Sequence, residues 1–169
     1  MQKLASIIQK AKSSAFWLWV FNHIMLRVIP FNKPHRFWIT KITDTDIEIK
    51  MPYRNSNLNH IQGLHACGLA TVAEYATGLM LISKIDPSKY RLIMQSLTVQ
   101  YYYQAKQDVF ARFSLSQDFL TQQVFQPLKS QELIYVEPEI NIYDSEQNHI
   151  CMAKMRWQIK NWTAVKTKV

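Results

Sequence analysis

The run LATVAEYATGLM contains one carboxylate, Glu74, among Ala, Leu, Val, Thr, Tyr, Gly and Met. An acid in a segment otherwise suited to burial is costly to desolvate, and desolvation raises its basicity. Glu74 is therefore the first residue to weigh as a chemical group, against the plainer reading of a helix acid paired with a base across a dimer. Before it come Asn59, His60, Gly63, His65, Ala66, Cys67 and Gly68. His60 and His65 read as loop hydrogen-bonders, and His65 stands where it would cap or position the start of a helix. His23, His35 and His149 are isolated, with nothing linking them to a site. No GxSxG is present, so a Ser-His-Asp nucleophile finds no support. No GxGxxG or Walker loop occurs either. Cys67 and Cys151 form no CxxC pair and no His/Cys ligand spacing, so no metal, zinc site or disulfide framework is expected.

The element that must carry Glu74 is a helix running from about Leu64 to Ser83 and closing at Asp86-Pro87. One face collects Leu69, Val72, Ala73, Ala76, Leu79, Met80 and Ser83, which suits a core. The other collects Cys67, Ala70, Thr71, Glu74, Thr77, Gly78 and Leu81, small and partly polar. Such a face lets a ligand or another subunit approach closely. Two alternating runs precede the helix about Asp44-Thr45-Asp46, with Ile39, Ile42, Ile47 and Ile49 inward. Four runs rich in β-branched and aromatic residues follow it: RLIMQSLTVQYYY, DVFARFSLS, ELIYVEPEINIYD and HICMAKMRWQIKNW. Short connections favour antiparallel pairing, with the long helix filling the concave face of one sheet. Tyr101 and Tyr103, in a sheet segment of alternating faces, are candidates to line an apolar pocket.

Residues 1–29 read as a helical segment, and residues 30–169 as the main domain. The aromatics Phe16, Trp17, Trp19 and Phe21 stand behind lysines. Their apolar run falls well short of the roughly 18 residues a spanning helix needs, and no cleavage pattern marks a secretory signal. A cytoplasmic location is expected. Four large aromatics are costly to leave in water, so a helix docked on the domain is expected, closing its apolar edge or the pocket mouth. An interfacial membrane helix is the minority reading, and it requires those aromatics to be exposed.

The formal charge is +8, unevenly placed. Residues 1–59 hold nine Lys/Arg against three acids, residues 60–150 six against nine, and residues 151–169 five against none. An acidic middle argues against the continuous basic stripe of a nucleic-acid binder. The basic ends are compatible with attraction to a polyanion, such as a phosphorylated carrier or an acidic membrane surface.

The run NHIQGLHACGLATVAE resembles the central motif of the hotdog-fold acyl-CoA thioesterases, particularly the phenylacetyl-CoA thioesterase-like branch. That motif has an Asn, then six residues later His-Gly-Gly, then an Asp or Glu nine residues beyond the His. Asn59, His65 and Glu74 keep this spacing. TVQYYYQAKQDV and AKMRWQIK look like two of the family's strands, so the resemblance covers roughly residues 34–162. It implies an α+β hotdog fold, a curved antiparallel sheet wrapped around one long central helix, with an extra N-terminal helix here. It also implies a homodimer or dimer of dimers. By resemblance, Glu74 serves as general base or nucleophile across a dimer interface, and the Cys67 and Gly68 amides stabilise the oxyanion. Asn59 orients the thioester or the water. His65, Ala66, Thr71 and Thr77 fall to substrate binding, with Thr77 available to hydrogen-bond the acid or the water. The departure is Ala66-Cys67 where the family has Gly-Gly, which reshapes the close approach glycine permits.

Three functions follow. One is hydrolysis of an apolar acyl thioester of coenzyme A or an acyl carrier, in fatty acid metabolism, with no cofactor. Another is a binding module for acyl-CoA or lipid without turnover. The last is an interaction protein using its basic, aromatic amino terminus at a membrane. The many Phe, Tyr and Trp residues favour an apolar acyl chain over a small polar acid.

Overall fold

Alternating isoleucines start the sheet. Trp38–Ile42 (β1) and Asp46–Met51 (β2) pair antiparallel, and Ile39, Ile42, Ile47 and Ile49 are all buried, as their spacing predicts. Thr43 shapes the turn between them, its hydroxyl accepting from the amides of Thr45 and Asp46. The computed structural model describes residues 2–166. After the long helix Ala66–Ile82 (α3) come Tyr90–Tyr101 (β3), Val109–Ser114 (β4), Leu133–Val136 (β5), Glu139–Asp144 (β6) and His149–Asn161 (β7). The pairings are antiparallel, in the order β1-β2-β4-β6-β7-β3, with β5 also on β7. Helix α3 packs against β2, β3, β4, β6 and β7, so the sheet curves around it.

Two local features of the chain after α3 differ from the sequence reading. ELIYVEPEINIYD forms two strands, because Pro138 has no N–H to give the ladder. Its carbonyl still accepts from the Met155 amide at 3.1 Å, so both pieces stay beside β7. Residues 117–129 fold into short helical turns that bury Leu120 and Val124. Ser116 caps them by accepting from the Phe119 amide.

The amino terminus is two helices, Gln2–Ala11 (α1) and Ala15–Val28 (α2), split where Ser14 caps the second. Helix α2 docks on β1 through buried Phe21 and Met25, each worth about 1.5–3 kcal/mol when removed from water. Between them Asn22 hydrogen-bonds the edge strand as another strand would. Its Oδ1 accepts from the Ile39 amide at 2.7 Å, and its Nδ2 donates to the Ile39 carbonyl at 3.0 Å. Lys12 adds an ion pair to Asp44 at 2.6 Å. One edge of the sheet is thus closed by α2. The other, β3, is bonded on one side only among the described residues.

Candidate active site

The start of α3 is held from two sides. The Leu64 amide donates to the Ala105 carbonyl at 2.8 Å, and the His65 amide to the Asn57 carbonyl at 2.8 Å. Asn57 is buried, donating to the carbonyls of His35 and Pro52. His65 is the helix N-cap in extended backbone, at φ −68° and ψ 133°. Its ring Nδ1 accepts from the Cys67 amide at 3.1 Å, and its carbonyl accepts from the Gly68 amide at 2.9 Å. Both amides expected to face an oxyanion therefore already have local partners. The Ala66 amide has none among the described residues, and Ala66 is exposed.

Beside this helix start lies a cavity of about 320 Å³ lined by Asn59, Leu64, Ala66, Leu69, Tyr101, Tyr102, Tyr103, Gln104 and Ala105. Of the residues singled out in the sequence, Asn59, Ala66, Tyr101 and Tyr103 meet here. Tyr101 comes off the end of β3 and donates from its hydroxyl to the Ala66 carbonyl at 2.9 Å. Tyr102 shares the lining; the YYY run contained that signal, but alternation alone gives no reason for consecutive tyrosines to face one cavity. Asn59 is mainly a loop builder. Its Oδ1 accepts from the amides of Ile61 and Gly63, both at 3.0 Å, leaving Nδ2 as its free donor among the described contacts.

Glu74 lies eight residues along the helix from Ala66, about 12 Å at 1.5 Å per residue, and does not line this cavity. It is half-buried, and its carboxylate has no hydrogen-bond or ion-pair partner among the described residues. Burial alone pushes its pKa up from the ordinary value of 4.5.

The small face of α3 divides into two parts. Thr77 is fully buried, and its hydroxyl contacts the carbonyls of Ala73 and Glu74 and the sulfur of Met155. It also accepts from the Trp157 indole at 3.3 Å. Thr77 thus joins the helix to β7 and does not hold the Glu74 carboxylate or a water beside it. At Gly78 a Cβ would come within 2.8 Å of the Trp157 ring, so glycine makes room for that indole. Gly68 likewise crosses close to β2, where a Cβ would meet Met51 Cε at 2.5 Å. Both glycines serve packing. What stays open is Cys67, Ala70, Thr71 and Glu74, a strip from the helix start to the acid. The Thr71 hydroxyl donates to the Cys67 carbonyl at 2.7 Å.

Residues 18–159 match the model of a family described as a domain of unknown function, DUF4442. The chain belongs to the DUF4442 family. The match takes in most of α2 as well as the sheet and α3, and no curated protein matches the sequence. Solved structures share the DUF4442 protein's hotdog fold. One is a Pseudomonas aeruginosa protein of unknown function described as a probable thioesterase. It has TM-score 0.76 and 18% identity, over 83% of this chain and 93% of that one. A Chlorobaculum tepidum protein of unknown function has TM-score 0.73 and 14% identity, over 91% and 94%. A Haemophilus influenzae thioesterase has TM-score 0.66 and 13% identity, over 85% and 91%. At these identities the likeness establishes the fold of the DUF4442 chain, and its chemistry rests on its own residues.

Proposed function

We propose that this protein hydrolyses acyl thioesters, of coenzyme A or of a carrier-bound pantetheine, at a site shared by two chains. The observation that carries this reading is Glu74: a half-buried carboxylate without a partner among the described residues, made more basic by desolvation, on an open strip leading to a helix start. The thioesterases among its structural neighbours support the reaction class. Within one chain the acid and the helix start are about 12 Å apart. Two chains pairing through β3 would run their α3 helices antiparallel, so each Glu74 approaches the partner's helix start. Half-buried Leu92, Met94, Leu97 and Val99 on β3 supply apolar surface for the acyl chain.

Glu74 takes a proton from water as the water oxygen attacks the thioester carbon. The negative charge that develops on the carbonyl oxygen is received at the start of α3, where the Ala66 amide has no partner among the described residues. The Cys67 amide joins it when the exposed His65 ring swings aside. Collapse of the adduct breaks the C–S bond and expels the thiolate, which takes the proton that Glu74 holds, and leaves a carboxylic acid. The Nδ2 of Asn59 and the tyrosines 101–103 position the thioester in the adjoining cavity.

The test is thiol release from acyl-CoAs of graded length. Glu74→Gln keeps the shape and removes the base, and it should lower turnover by about 10²- to 10⁴-fold with acyl-CoA affinity little changed. Equal turnover in the variant would make Glu74 structural. The second reading, binding without turnover, is favoured by the His65 ring on the Cys67 amide and by Ala66-Cys67 in place of Gly-Gly. Wild-type protein that binds acyl-CoA and releases no thiol would establish it.

A further inference from the structure

The amino-terminal layer has two faces, and the active-site reading uses neither. Phe21, Asn22 and Met25 turn toward β1 and are buried. Away from them on α2, Phe16, Trp19 and Arg27 are exposed at helical spacing, with His23 among them half-buried and edge-on to Trp38 of β1. Phe16 is 64% exposed and Trp19 52%, their rings stacked 6.4 Å apart, and Trp19 lies 4.1 Å from the His23 ring. Beyond the helix, Phe31 is 67% exposed, and Lys33 and Arg36 beside it are exposed as well. Lys10 sits over the Trp17 ring at 4.3 Å.

Charge says what covers this face. The first acid in the chain is Asp44, and the residues before it include seven Lys/Arg. Lys12 pairs with Asp44, whereas no ion pair among the described residues engages Lys10, Arg27, Lys33 or Arg36. A second copy placed on this face about a two-fold axis would set base against base. A surface of anionic headgroups offers the opposite charge to the bases and an apolar boundary to the rings. No helix among the described residues is long and apolar enough to cross a membrane, so the contact would be in the plane of the surface.

We propose that the outer stripe of α2 and residues 31–36 together dock this protein on an anionic lipid surface. Phe16, Trp19 and Phe31 enter the headgroup boundary, and Arg27, Lys33 and Arg36 engage the phosphates. This holds whether or not Glu74 turns over a thioester.

The experiment is flotation of the full chain with phosphatidylcholine vesicles, with and without about one third phosphatidylglycerol. Binding is expected only with phosphatidylglycerol, and it should weaken as salt rises. Lys33→Glu with Arg36→Glu should weaken it by roughly fivefold or more per base. Phe16→Ser, Trp19→Ser and Phe31→Ser together should weaken it at least about tenfold. All five side chains are exposed, so circular-dichroism melts should match the wild type. No flotation of the wild type at low salt overturns the proposal. So does undiminished binding of the triple aromatic variant, which would mean charge alone. A larger assembly of the wild type that the triple variant dissociates would assign the face to protein and sink the lipid reading.

Discussion

Glu74 differs from the other perturbed acids in the direction its environment pushes it. Asp46 is held low by hydrogen bonds from Ser114, Thr45 and Thr43. At Glu48 burial works upward, but Thr40 and Arg112 outweigh it. Glu74 has no such donor among the described residues, so burial acts unopposed and its pKa rises above 4.5. A group with a raised folded-state pKa gives the folded state more bound protons, so stability falls as pH climbs through that value. Glu74→Gln removes this burden. The variant should melt above wild type at pH 7 to 8, and the gap should close as pH falls below the unfolded value. Thermal melts across that range read it directly. A variant less stable at neutral pH would reveal an ion pair across an interface, the structural alternative to catalysis. The same raised pKa places the acid limb of any Glu74-dependent hydrolysis above 4.5, with rate increasing as pH rises.

At the scale of elements, Asn22 shows how the ends of the sheet are treated. Its amide occupies the N–H and C=O of Ile39, which a neighbouring strand would otherwise bond. Asn22→Ala leaves both groups buried without partners, at about 1–3 kcal/mol each. Urea denaturation should show a loss of about 2–6 kcal/mol, with greater aggregation as the β1 edge is uncovered. None of this is legible in FWLWVFNHIM, where Asn22 only ends an apolar run. The long helix and the hairpin were legible because burial enforces periods of 3.6 and 2, and Ile39, Ile42, Ile47 and Ile49 follow the second. The isolation of Glu74 was legible too. The destination of Thr77 and Gly78 was not, because the Trp157 indole that fills that side of α3 comes from 80 residues away on β7. Nor could spacing show that the His65 ring takes the Cys67 amide, since that depends on a side-chain rotation at the cap.

For the whole molecule, the two sheet edges have different fates. β1 is closed by α2, while β3 offers twelve residues without proline and with one side unbonded among the described residues, an edge that invites pairing with a second chain. If the site joins one chain's Glu74 to its partner's helix start, two defective proteins should repair each other. Glu74→Gln removes the base. Ala66→Pro removes the free amide at the first helical position, where proline is well accommodated and the extended His65 before it is already compatible. Each homodimer should lose about 10²-fold or more. When equal amounts are mixed after dissociation, about half of the dimers pair unlike chains, and each of these holds one site with both groups intact. Thiol release should then recover to about one quarter of wild type. A site contained in a single chain cannot be repaired by mixing, because every chain carries one defect. Activity that stays at the level of the separate variants, while sedimentation shows mixed dimers, would place the acid and the amide in the same subunit and overturn the shared site.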